Sequence, residues 1–91
     1  MVKVEVRLFA VLRELAGEGS ISLEFACEPT VDEVLGGLIS SKPVLRPLLM
    51  KEGRFNDRYK VLVGKDLVFP EDFSRVRVSS KVAVLPPVSG G

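Results

Sequence analysis

Thr30-Val31-Asp32-Glu33-Val34-Leu35-Gly36-Gly37-Leu38-Ile39 is the stretch on which the fold turns. Thr30 and Glu33 have the spacing of a capping box, in which the threonine hydroxyl accepts from the Glu33 amide and the glutamate carboxylate reaches back to the Thr30 amide. Val31, Val34, Leu35, Leu38 and Ile39 then fall at i, i+3, i+4, i+7 and i+8. The spacing predicts a helix with one apolar face, which needs a sheet to cover it. Pro43 ends it. Gly36 and Gly37 each weaken the helix interior by about 1 kcal/mol relative to alanine, and both leave room for close approach to a neighbouring backbone.

Strands lie on either side of this helix. Upstream, Val2, Val4, Val6 and Leu8 alternate with Lys3, Glu5 and Arg7, the period of a strand with one buried face. Leu8, Leu12 and Leu15, with Phe9 and Ala16 near the same stripe, predict a short helix that stops at Gly17 and Gly19. Ile21, Leu23 and Phe25 predict a second strand, and the pattern breaks at Glu28-Pro29. Downstream, Leu45, Leu48 and Leu49 suggest another short helix, and Lys51 to Arg58 reads as a polar surface loop. Tyr59, Val61 and Val63 form a third strand, Gly64-Lys65 suits a tight hairpin, and Leu67 to Phe69 returns until Pro70. Val76 and Val78 are candidates to extend the sheet. Val82 and Val84 alternate along a last strand that halts at Pro86-Pro87. The order implies an α+β domain: a mixed β-sheet with helices packed on one face, the first and last strands parallel at its centre.

A chain of 91 residues fits one domain with one modest core. With 46% hydrophobic and 27% charged residues, neither disorder nor a coiled coil is expected. Thirteen cations nearly balance twelve carboxylates, which speaks against nucleic-acid binding. The N-terminal stretch alternates charged and apolar residues and no run reaches membrane-spanning length, so a cytoplasmic protein with no membrane partner is expected. One cysteine, Cys27, cannot form an internal disulfide, and the absence of histidine removes a zinc site and any Ser-His or Cys-His nucleophile. Cys27 beside Phe25 and Ala26 reads as a small, partly buried hydrophobe in preference to a persulfide carrier.

The chemistry points to Leu85-Pro86-Pro87-Val88-Ser89-Gly90-Gly91, which passes from a strand through two stiff prolines to an end without side-chain bulk. This ending resembles the MoaD type of the MoaD/ThiS sulfur-carrier family, whose members have a ubiquitin-like β-grasp fold. Phe9-Ala10-Val11-Leu12-Arg13-Glu14-Leu15-Ala16-Gly17 resembles the family's segment after the opening strand, and Thr30 to Ile39 its main helix. Val78-Ser79-Ser80 departs from the acidic Asp-Gly-Asp turn common in the family, and Gly64 stands where many relatives have asparagine.

The resemblance implies residues 1–85 as a ubiquitin-like carrier domain and residues 86–91 as an extended reactive tail. It implies that an E1-like adenylating enzyme activates Gly91 with ATP and that a sulfurtransferase system then supplies sulfur. The resulting thiocarboxylate is expected to act within molybdopterin synthase, where the large subunit holds the cyclic pyranopterin precursor. This chain is then a non-catalytic sulfur donor that binds no cofactor or metal itself. Adenylation is required because a C-terminal carboxylate is ionised and unreactive toward nucleophiles at neutral pH. Gly90 and Gly91 lack a Cβ and so fit a narrow partner channel, and the six residues Pro86, Pro87, Val88, Ser89, Gly90 and Gly91 span about 20 Å when extended. The prolines limit the entropy lost on docking. Matching the motifs makes Phe9, Leu67 and Leu85 candidates for the partner-binding surface, with core packing as the competing reading for each. Lys51, Arg54, Arg58 and Lys60 are either a solvated loop or a greeting surface for an acidic partner. Alternative functions are a protein modifier that joins Gly91 to lysine amines, a thiamine-pathway sulfur carrier, or an interaction domain with a passive tail.

Overall fold

The first and last strands lie side by side and parallel. In a computed structural model that describes residues 1–87, β1 (Val2–Leu8) pairs with β7 (Lys81–Leu85) in the register Glu5↔Lys81 to Leu8↔Val84. Between them the chain forms α1 (Val11–Ala16), β2 (Ser20–Phe25), α2 (Val31–Ser41), α3 (Arg46–Leu49), β3 (Met50–Lys51), β4 (Arg54–Phe55), β5 (Lys60–Val63) and β6 (Asp66–Val68). The main sheet runs β2-β1-β7-β5-β6 and is antiparallel except for the central β1–β7 pair. That order and the helices above one face make a ubiquitin-like β-grasp.

The capping box forms as the sequence implies. Thr30 Oγ1 accepts from the Glu33 amide at 3.2 Å, and Glu33 Oε1 accepts from the Thr30 amide at 2.8 Å. Val31, Val34, Leu35, Leu38 and Ile39 are all buried, each worth about 1.5–3 kcal/mol relative to exposure. Their partners are Val4, Val6 and Leu8 of β1, Val61 of β5, and Val82 and Val84 of β7. The two glycines of α2 have different environments. A Cβ on Gly37 would lie 3.3 Å from Leu23 Cδ1 and 3.5 Å from Phe25 Cζ, so this glycine lets the helix settle on β2; a Cβ on Gly36 would meet nothing within 4 Å.

The structure corrects several local expectations. Lys51 to Arg58 is not only loop: β3 and β4 pair there as Met50↔Phe55 and Lys51↔Arg54. Glu52 and Gly53 make the turn at φ 54° and 80°, the positive values a two-residue hairpin loop favours. Asn56 holds the hairpin down: its amide donates to Leu49 O at 2.7 Å and its Nδ2 to Leu48 O at 3.1 Å. Val76 and Val78 do not extend the sheet. Their backbones bond across the start of α2, Val31 N to Val76 O at 3.0 Å and Val78 N to Pro29 O at 2.8 Å, while the Val78 side chain enters the core. On α1 only Leu12 and Ala16 are buried, four residues apart; Leu15 is 42% exposed, and Gly17 closes the helix at φ 81°. Cys27 is exposed instead of partly buried.

Candidate functional site

The site begins where β7 leaves the sheet. β7 lies between β1 and β5, so its backbone is bonded on both sides, to Leu8 through Val84 and to Lys60 through Leu85. Pro86 and Pro87 have no amide hydrogen and cannot continue either ladder, so the chain departs from the sheet here. The exit point is therefore set by two central strand pairings and not by a loop.

Strand alternation sorts the side chains around that exit. Val82 and Val84 point into the core, which puts Lys81, Ala83 and Leu85 on the outer face, away from the helices. The register lines up Leu62 with Ala83 and with Leu67, so β5 and β6 continue the same apolar strip. Val68 is buried, leaving Leu67 and Phe69 outward at 45% and 47% exposure. Phe9 follows β1 by one residue, and the Arg7 guanidinium lies 6.0 Å from its ring centroid, within cation–π range. Arg7 itself pairs in register with Ala83 of the outer face.

Phe9, Leu67 and Leu85, separated by up to 76 positions in sequence, thus belong to one surface. Phe9 and Leu67 are exposed and Leu85 is half-buried, and none belongs to the core cluster. Leu62, Ala83 and Phe69 join them and were not singled out from sequence. The missed signal was the alternation of Lys60 and Leu62 with Val61 and Val63, which assigns Leu62 to the face opposite Val61. Gly91, Gly90, Ser89 and Val88 lie outside the described residues, whereas Pro86 is half-buried and Pro87 exposed.

Among the described residues no group of three or more His, Cys, Asp or Glu is placed to hold a metal ion. Nor is any helix there long and apolar enough to cross a membrane. The outer face carries an apolar strip edged by Arg7, Lys60 and Lys81, which suits docking of a protein.

A model of the ThiS family matches residues 6–91. The chain belongs to the ThiS family. It is thus a member of the ubiquitin-like sulfur carriers that include the MoaD type, small proteins that carry sulfur and are not themselves catalysts. Over 92 residues it is 30% identical to small archaeal modifier protein 3 of Haloferax volcanii, covering 99% of this chain and 100% of that one. It is 28% identical over 90 residues to the molybdopterin synthase sulfur carrier subunit of Chlamydomonas reinhardtii, with 99% and 100% covered. The crystal structure of SAMP1 from Haloferax volcanii superposes with a TM-score of 0.86 at 27% identity, covering 98% of this chain and 99% of that one. The ThiS-family match extends to Gly91, so it takes in the segment after β7 as well as the folded domain.

Proposed function

We propose that this ThiS-family chain is the small, sulfur-donating subunit of molybdopterin synthase, with residues 1–85 as the carrier domain and residues 86–91 as its reactive tail. An E1-like partner joins the Gly91 carboxylate to AMP, releasing pyrophosphate from ATP. Sulfur at the sulfide level, delivered by a sulfurtransferase system, then displaces AMP and leaves a thiocarboxylate. In the complex with the large subunit, that soft sulfur anion attacks a carbon of the cyclic pyranopterin precursor as a carbon–oxygen bond there breaks and the oxygen leaves, so that the sulfur joins the substrate to the Gly91 carbonyl. Hydrolysis returns the Gly91 carboxylate and leaves the sulfur on the substrate as part of the dithiolene.

The observation that carries this reading is the placement of β7: a central, doubly paired strand ends at two prolines on the margin of an exposed apolar strip. A partner that covers Phe9, Leu62, Leu67 and Leu85 receives the tail at a defined position. The similarity to a molybdopterin synthase sulfur carrier subunit over 99% of the chain supports the same choice. A second reading, attachment of Gly91 to lysine amines of other proteins, is favoured by the similarity to small archaeal modifier proteins 3 and 1.

Intact-mass spectrometry separates the two. After incubation with the adenylating enzyme, ATP and a sulfur source, one oxygen of the protein is replaced by sulfur, and deletion of Gly91 abolishes both this change and conversion of the pyranopterin precursor by the large subunit. Thermal stability is unchanged by the deletion. Isopeptide-linked lysines without precursor conversion establish the modifier reading instead. Full precursor conversion by the truncated chain rules out Gly91 as the sulfur-bearing group.

A further inference from the structure

A groove of about 690 Å³ lies on the helix side of the molecule, away from the outer sheet face. One wall is α2, through Leu35, Gly36 and Ile39; the other is the β3–β4 hairpin, through Met50 and Phe55; Phe73 belongs to the lining as well. Phe55 and Phe73 meet edge to face at 5.1 Å, which stiffens that side of the groove. Gly36 leaves a gap in the helical wall, since a Cβ there would touch nothing within 4 Å. The volume lies within the range of ligand-binding clefts.

The charge around the groove is uneven. From residue 46 to residue 58 the chain carries four cations, Arg46, Lys51, Arg54 and Arg58, against Glu52 and Asp57, a net +2. The rest of the chain holds nine cations and ten carboxylates, a net −1. All four cations are exposed, and none is in an ion pair among the described residues, where the pairs are Lys42–Glu18 and Arg75–Asp72. Arg46 and Arg54 line the groove directly. Asp32 marks the N-terminal end of α2 and Arg46 follows its C-terminal end, so the groove is polarised along the helix.

We infer that this groove is a second docking site, which takes an acidic polypeptide segment of a partner, with apolar side chains over Gly36 and carboxylates over Arg46 and Arg54. Charge complementarity selects the occupant: the free guanidiniums call for carboxylates, and the half-buried Met50 and Phe55 beside the open position at Gly36 call for aliphatic or aromatic side chains next to them. A nucleic-acid backbone meets the charge requirement but leaves the apolar floor uncovered. The inference is independent of the proposed role of Gly91, because groove and outer sheet face lie on opposite sides of the β-sheet. It leaves the carrier free to hold a second protein while its tail is engaged.

The probe is a fluorescein-labelled dodecapeptide in which leucine and isoleucine alternate with aspartate and glutamate, titrated against the full chain by fluorescence anisotropy. Its controls are the same peptide with lysine at every acidic position and a uridine oligonucleotide of equal length. The acidic peptide binds, binding weakens as salt rises, and amide shift changes in the ¹⁵N-labelled chain centre on Gly36, Arg54 and Phe55. Gly36→Leu, which fills the gap at a position open to a side chain, weakens binding by about tenfold or more without lowering Tm, and Arg54→Glu weakens it comparably. Sulfur loading at Gly91 stays unchanged in both variants. The inference is overturned if the acidic peptide does not bind, if the lysine peptide or the oligonucleotide binds as well as it does, if Gly36→Leu binds normally, or if the shifts fall on Phe9, Leu62 and Leu67.

Discussion

The two faces of the sheet are built from the same kinds of residue and end in opposite states. On the inner face Val4, Val6, Val61, Val82 and Val84 expose 1% of their surface or less. On the outer face Leu62, Ala83 and Leu85 are half-buried, and Leu67 and Phe69 stand nearly half exposed. The inner face is finished by α2, which was shaped for it by a capped helix with one apolar stripe. Among the described residues the outer face has no such cover, and apolar surface collected beside a chain exit is what the proposed docking role uses. Neighbouring residues of one strand therefore meet different surroundings: Val84 is sealed in the core, and Leu85 lies half-buried on the outer face that the proposed function assigns to docking.

The sharpest test of that contrast is a pair of substitutions one residue apart. Val84→Asp places an unpaired charge where no water reaches, at a cost of about 4 kcal/mol or more, a large part of the 5–15 kcal/mol that holds a typical domain together. The variant is expected to lose its cooperative unfolding transition by circular dichroism. Leu85→Asp keeps the transition and loses less than about 1.5 kcal/mol, yet weakens association with the synthase large subunit in titration calorimetry. Equal destabilisation by both substitutions makes Leu85 a core residue and removes the outer-face interface.

The cover of the inner face is tested through its cap. Thr30→Ala removes the oxygen that accepts from the Glu33 amide and costs about 1 kcal/mol in urea unfolding, whereas Thr30→Ser retains most of the stability. A smaller effect comes from comparing the two glycines. Gly36→Ala gains up to about 1 kcal/mol of helix propensity because its Cβ enters open space. Gly37→Ala gains less, by at least a few tenths of a kcal/mol, because Leu23 and Phe25 must give way by a few tenths of an ångström. Equal gains at both positions mean that α2 is not held closely against β2.

Where a structure depends on neighbours along the chain, it was legible. The Thr30–Glu33 box, the α2 stripe, the alternation of β1 and β7, and the positive-φ turns at Gly17 and Gly64 are short-range features, and each stands where its residues imply. Their order was enough to infer a mixed sheet with its first and last strands together, and the family resemblance of the ending is confirmed by the match across residues 6–91. Short-range spacing failed where two placements satisfy it equally. Leu12 and Leu15 both fit a helical stripe, and only the packing of α1 buries Leu12 and exposes Leu15. The two-residue strands β3 and β4 carry too few residues for a period, and need Asn56 to hold the hairpin against Leu48 and Leu49. Val76 and Val78 have strand spacing, but their backbone partners are Val31 and Pro29 at the start of α2.

For the proposed site, the sequence by itself supplied the chemical reading: a family-type ending at Gly91, two prolines that stop a strand, no histidine and one unpaired cysteine. Only the tertiary structure decided that Phe9, Leu62, Leu67 and Leu85 share a face, because that depends on β7 lying between β1 and β5 in one particular register. A slip of one residue would exchange the inner and outer sets, and the burial of Val82 and Val84 against α2 is the energy that prevents it. The helix-side groove has the same origin. Its apolar floor and its cations come from segments up to 41 residues apart, Asp32 to Phe73, and their meeting is a property of the packed chain that no local pattern encodes.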